Sequence, residues 1–179
     1  QPLTFDLRPS REAFRIASLA LPENIRIHQY LGTVFIALEQ YDEALNEYAE
    51  VLKLAPDDTD SILQVAYIYS QQGRVKEAVP LLKKAVNEQP GKAELYLYLA
   101  NAHLDLEQYP EAVVVLKKGV EMAPDRDDLY FTLAVAYEKQ GKREEMIASL
   151  KKALEIKPDH ADALNYLGYT YAEAGEHLD

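Results

Sequence analysis

At 179 residues the chain is long enough for one or two ordinary domains, and a composition 48% hydrophobic and 27% charged describes a folding chain, not a disordered one. Thirty acidic against 19 basic residues leave a formal net charge of −11, which repels a nucleic-acid backbone at long range, so DNA and RNA are excluded as expected partners. The absence of cysteine removes disulfides, thiol catalysis and thiolate metal sites.

Residues 1–9 read as an N-terminal tail in which Leu3, Phe5 and Leu7 alternate before Arg8. Residues 1–21 lack the basic start and long apolar run of a signal peptide, and no stretch approaches the ~20 apolar residues of a spanning helix, so membrane insertion is not expected. The chain starts at Gln1, consistent with an upstream segment cleaved or left out. The compartment stays open: cytoplasmic or, after removal of a signal, periplasmic. A first helix is predicted over residues 10–21.

From there a period governs the sequence. Pro22, Pro56, Pro90, Pro124 and Pro158 are each 34 residues apart. Between Pro22 and Pro56, Leu31, Gly32, Phe35 and Leu38 follow helical spacing, and Ala44, Leu45, Tyr48, Val51 and Leu52 form a second such set. Each unit is therefore two helices and a turn, and each proline stops the second helix because it has no N–H to donate. The turn at 39–41 recurs at Gly73, Glu107 and Gly141, and again from Gly175. Glycine there supplies a left-handed helix end, whereas Glu39 and Glu107 would be strained by roughly 1 kcal/mol in that conformation.

Columns repeat with the period. Small residues recur at Gly32, Ala66, Ala100, Ala134 and Gly168 in the first helices, and at Ala44, Ala78 and Ala112 in the second. Bulky residues flank them, at Leu31, Val65, Leu99, Leu133 and Leu167, then at Phe35, Tyr69, His103, Tyr137 and Tyr171. Small side chains let helix backbones approach, and the bulky ones fill the space between them.

Helix–turn–helix units of 34 residues with these small, aromatic and proline columns resemble tetratricopeptide repeats. The resemblance implies an all-α fold, a right-handed superhelical solenoid of antiparallel helix pairs. Repeats fall at 25–58, 59–92, 93–126 and 127–160, with 10–21 as the second helix of a partial repeat and 161–179 as the first helix of a truncated one. This reads as a fragment of a longer array, whose uncapped ends would self-associate. Three departures stand out. His28 occupies the family's early tryptophan column, elsewhere filled by Ile62, Tyr96, Tyr130 and Leu164. Met146 replaces an alanine and is expected to splay the turn of its unit. Pro80 falls within the first turns of a second helix, whereas Pro110 starts one.

A search for chemistry gives little. His28, His103, His160 and His177 show no zinc-ligand spacing, the 7 glycines are scattered among turns and packing positions, and Ser61, Ser70 and Ser149 have no recurrent histidine. Asp57, Asp58, Asp125, Asp127 and Asp128 follow prolines, where acids cap helix N-termini. The doublets Lys83-Lys84, Lys117-Lys118 and Lys151-Lys152 sit toward helix C-termini, where cations suit the dipole. No enzyme activity, metal or cofactor is expected.

The resemblance locates a binding wall on the first helices: Arg26, Gln29 and Thr33; Asp60, Leu63 and Tyr67; Glu94, Leu97, Asn101 and Leu104; Asp128, Phe131 and Val135; Asp162, Asn165 and Tyr169. Asp105, Glu138 and Glu173 add to the acids and Lys139 joins Arg26, so the groove is expected to be negative with an apolar and aromatic centre. That suits a protein or peptide segment with apolar anchors and basic residues. Repeats that grip acidic chaperone tails place lysine, asparagine and arginine where this chain has Gln29, Thr33, Gln64, Glu94 and Tyr98, so that clamp is absent. The tail at 1–8, itself apolar and basic, is a candidate occupant. The leading expectation is a protein-interaction scaffold; the alternative is a structural element that assembles through its ends or convex face. A third reading makes the array the targeting arm of an enzyme encoded outside these residues.

Overall fold

The computed structural model describes residues 8–173. Among them lie ten α-helices and no strand: α1 Arg8–Ala20, α2 Ile25–Ala37, α3 Tyr41–Leu54, α4 Thr59–Gln71, α5 Val75–Glu88, α6 Ala93–Asp105, α7 Tyr109–Met122, α8 Asp127–Lys139, α9 Arg143–Ile156 and α10 Ala161–Glu173. The predicted first helix over 10–21 is α1, shifted by a residue or two. The chain divides into two compact units, the first ending at Leu81 and the second starting at Leu82, inside α5.

Within the first unit, the fully buried Ala44 and the nearly buried Tyr48 of α3 join Val65 and Ile68 of α4 in a core flanked by Phe35, Tyr69 and Leu81. The small column does what its size allows. A Cβ added at Gly32 would stand 2.6 Å from the Tyr48 ring, so only glycine lets α2 and α3 close to this distance. Phe14 of α1 stacks on Tyr30 of α2 with ring centroids 3.9 Å apart. In the second unit the same columns bury Leu99 and Ala100 on α6, Ala112 and Leu116 on α7, Leu133 and Ala134 on α8, and Leu150 and Ala153 on α9.

The turns repeat a single hydrogen-bond scheme. Gln40 N donates to Phe35 O at 2.8 Å while Glu39 N donates to Ile36 O, and the same pair of bonds closes α4, α6 and α8. The residue at the bend has φ of 56° at Glu39, 68° at Gly73, 58° at Glu107 and 69° at Gly141. This is the Schellman helix end, in which a left-handed residue turns its own and the following N–H back onto orphan carbonyls. The strain foreseen for Glu39 and Glu107 is therefore present. The long bond always ends on the aromatic column, at Phe35, Tyr69, His103 and Tyr137.

Two expectations are corrected. Met146 does not splay its turn: it is buried, the Lys142 N to Tyr137 O bond is intact at 2.9 Å, and α9 keeps the 14-residue length of α3 and α7. An unbranched, flexible thioether fills the alanine site without moving the backbone. The lysine doublets do not serve the helix dipole, since no basic residue lies in the last turn of α5, α7 or α9 and the dipole's influence fades within that turn. Asp58 does cap α4, accepting from Ser61 N at 3.0 Å, and Asn24 caps α2. Asp127 and Asp128 instead lie in the first turn of α8, whose cap position is Arg126.

Candidate peptide-binding wall

All sixteen predicted wall residues lie on the first helices α2, α4, α6, α8 and α10. None belongs to the buried core. Arg26, Thr33, Asp60, Tyr67, Glu94, Asn101, Asp162, Asn165 and Tyr169 are exposed, and Gln29, Leu63, Leu97, Leu104, Asp128, Phe131 and Val135 are half-buried. The helical period explains this: columns that face the second helices are consumed by packing, and the wall columns lie on another face of the same helix.

In the first unit the wall is tied to the scaffold by polar contacts. Thr33 Oγ1 donates to Gln29 O at 2.9 Å and so accepts from Tyr48 Oη at 3.2 Å. Gln29 Nε2 donates to Asp58 Oδ2 at 3.1 Å, joining α2 to the cap of α4. His28, the residue in the tryptophan column, is buried beside this wall. Its Nδ1 lies 2.6 Å from Glu47 Oε2 and its Nε2 3.0 Å from Pro22 O, so the imidazole replaces apolar packing with hydrogen bonds to α3 and the preceding loop.

In the second unit one cation organises the acids. Arg126 Nη1 donates to Glu94 Oε1 at 2.8 Å, Nη2 to Asp128 Oδ2 at 2.6 Å and Nε to Asp128 Oδ1 at 3.0 Å. Its fork thus grips Asp128 with two bonds and Glu94 with a third. The hydrogen bond from Arg126 is the main cause that holds Glu94 below the usual carboxylate range, and the two acids raise the guanidinium further. Arg126 stands outside the columns that a wall register selects, so sequence reasoning missed it. The clue was its place two residues after Pro124, where a helix cap belongs.

Glu138 is likewise engaged. Tyr166 Oη donates to its Oε2 at 2.8 Å, and Lys139 Nζ lies 3.9 Å away. Burial, then this hydrogen bond and the adjacent charge, push the Tyr166 phenol up to about 12. Phe131 meets the start of α10: its ring is 4.9 Å from His160 and 6.0 Å, edge-on, from Tyr166. Phe131 thus packs α8 against α10 while it remains half-buried. Tyr67 and Tyr169 remain 38% and 67% exposed, which makes them the open aromatic groups of the wall. Among the described residues no cluster of three metal-ligating side chains occurs, and no helix is long and apolar enough to cross a membrane.

Comparison with known proteins follows the same columns. Tetratricopeptide repeat models match residues 69–133, 127–160 and 149–179, and a model of YpiA-like, C-terminal tetratricopeptide repeats matches 27–92. The repeat-containing protein YpiA of Bacillus subtilis (strain 168) is 32% identical over 73 residues, covering 41% of this chain and 17% of its own. The chain spans 17 to 18% of the length of the curated relatives it matches. A crystal structure of MamA superposes with a TM-score of 0.70 at 26% identity, over 81% of this chain and 85% of that one. YrrB, a tetratricopeptide repeat protein with an unusual peptide-binding site, superposes with a TM-score of 0.72 at 22% identity, over 90% and 83%. Helix pairs of 34 residues closed by one turn scheme, and family models that together run from 27 to 179, place this chain in the tetratricopeptide repeat family.

Proposed function

We propose that the protein is an interaction scaffold whose first-helix wall holds a peptide segment of a partner protein, one with apolar anchors and basic residues. The observation that carries this reading is the column split itself: the wall residues are first-helix positions that stay outside the buried core, with an exposed ring at Tyr67 beside the acid Asp60 in the first unit and an exposed ring at Tyr169 with the acids Asp105 and Asp162 in the second. Aromatic groups that bury fully on binding are the usual anchors of such an interface. Arg126 cancels one of the charges on the α6 and α8 portion, so basic groups of a ligand are directed toward the acids it does not hold. YrrB lends support by analogy of fold.

The test is a titration of a fluorescent peptide alternating leucine and lysine into the protein and into Tyr67→Ala and Tyr169→Ala. Loss of an anchoring ring should weaken binding about tenfold or more, with helicity unchanged. Undiminished affinity in both variants moves the site off this wall. Reversing Glu94 or Asp128 is the poorer experiment, because it breaks the Arg126 clamp as well as the surface charge.

Self-assembly through apolar faces is a second reading, supported by Ile16 and Leu19 on α1, which are 62% and 80% exposed. Salt separates the two: binding of a basic peptide weakens as ionic strength rises, and apolar association holds or strengthens. The candidate tail at 1–8 lies outside the residues whose side chains are described.

A further inference from the structure

The aromatic column Phe35, Tyr69, His103, Tyr137, Tyr171 is interrupted once, where the third repeat carries an imidazole in place of a six-membered ring. His103 is 2% exposed and its Nδ1 lies 2.7 Å from Gln108 Oε1. An amide oxygen only accepts, so Nδ1 holds the proton and Nε2 carries the lone pair. No protein group reaches Nε2, although it is buried. A buried acceptor without a donor is unfavourable, and its presence calls for a physical reason.

His103 lines a cavity of about 410 Å³ between α5 and α7. Buried Tyr96 and Leu99 of α6 line it as well, Val86 and Val115 wall it, and Val114, 57% exposed, stands at its lip. The exposed Lys83, Lys118 and Glu111 line it too. These lysines belong to the doublets that lie too early in their helices to serve the dipole. The cavity is thus mostly apolar, large enough to hold a ring, lined by the histidine that carries the unpaired acceptor, and edged by two lysines and one glutamate in a chain of net charge −11.

We propose that this cavity is a second binding site, separate from the first-helix wall, and that it takes a tryptophan or tyrosine side chain from an acidic segment of a partner protein. The ring seats beside His103, the position at which the neighbouring repeats carry Tyr69 and Tyr137. Its polar hydrogen donates to His103 Nε2, and carboxylates beside it in the partner meet Lys83 and Lys118. Nε2 is covered in the ligand-free state, so the bond forms only as the lining side chains shift and the ring seats.

The test uses isotopically labelled full chain and nuclear magnetic resonance. Indole should produce saturable shifts at the Val114 and Val115 methyls and at His103 Nε2, and 1-methylindole, which lacks the donor, should bind at least about fivefold more weakly. His103→Tyr, which restores the repeat's own ring, should remove these shifts while helicity is retained; Val114→Glu at the exposed lip should do the same without touching the interior. The blocked peptide acetyl-Asp-Trp-Glu-amide should bind more tightly than acetyl-Lys-Trp-Lys-amide, an advantage that Lys83→Glu and added salt reduce. The proposal is overturned by the absence of saturable shifts up to about 5 mM indole, by equal binding of 1-methylindole, by binding that survives both variants, or by no preference for the acidic peptide. None of these outcomes bears on the first-helix wall.

Discussion

At Gly32 the difference between hydrogen and methyl decides how closely two helices pack. A Cβ there meets the Tyr48 ring at 2.6 Å, and the hydroxyl of that ring is hydrogen-bonded to Thr33, so Gly32→Ala should cost about 1–3 kcal/mol in chemical unfolding. Gly168 occupies the same column, but a Cβ added to it finds nothing within 4 Å. Gly168→Ala should therefore show only the gain in helix propensity, about 0.5–1 kcal/mol. A comparable cost for both variants would contradict the packing described here. The bend residues give the opposite case. Glu107 sits at φ 58° where two other units use glycine, and Glu107→Gly should stabilise by up to ~1 kcal/mol, whereas Gly141→Ala should lose a similar amount.

At the level of elements, two polar contacts couple successive helix pairs in the second unit and respond to pH in opposite directions. Glu94 is held below its ordinary value chiefly by the hydrogen bond from Arg126, so what that bond contributes is present above the unfolded carboxylate range and fades as pH falls through the lowered folded value. Arg126→Ala should return Glu94 to the ordinary range in a carboxyl carbon titration and make acid unfolding less dependent on this group. Tyr166 works at the other end of the scale. Its phenol is raised to about 12, so the contribution is complete below the unfolded value near 10 and is lost between there and about 12 as the phenolate forms beside Glu138. Glu138→Gln should lower the Tyr166 titration point, read from phenolate absorbance. An unmoved value would mean that burial alone sets it. Pro80, inside α5, is tolerated because it lies near the start of the helix and removes a single donor from the ladder.

For the whole molecule, charge and exposed apolar surface pull in different directions. A net charge of −11 keeps copies apart at low ionic strength, and raising salt to ~1 M shortens the screening length to ~3 Å. Sedimentation velocity should then show more self-association at high salt than at low, and Leu19→Lys on α1 should reduce it. Association that falls with salt would point to charged contacts instead. The period, the helix pairs, the turns and the strained glutamates were all legible in the sequence, because a repeating unit sets the same local problem again and again, and five solutions side by side show which positions each helix spends on packing. Solvent-facing columns were legible for the same reason. Spacing could not show which charges meet across helices, since Glu94 on α6 reaches Arg126 and Asp128 at the start of α8 only when neighbouring pairs dock. Nor could it show that Phe131 packs on His160 and Tyr166, or that the imidazole of His103 lines a cavity and keeps an unpaired nitrogen. Periodicity along one chain determines what each helix presents; the separation between helices, a tertiary quantity, decides which of those groups are already satisfied and which remain available to a partner.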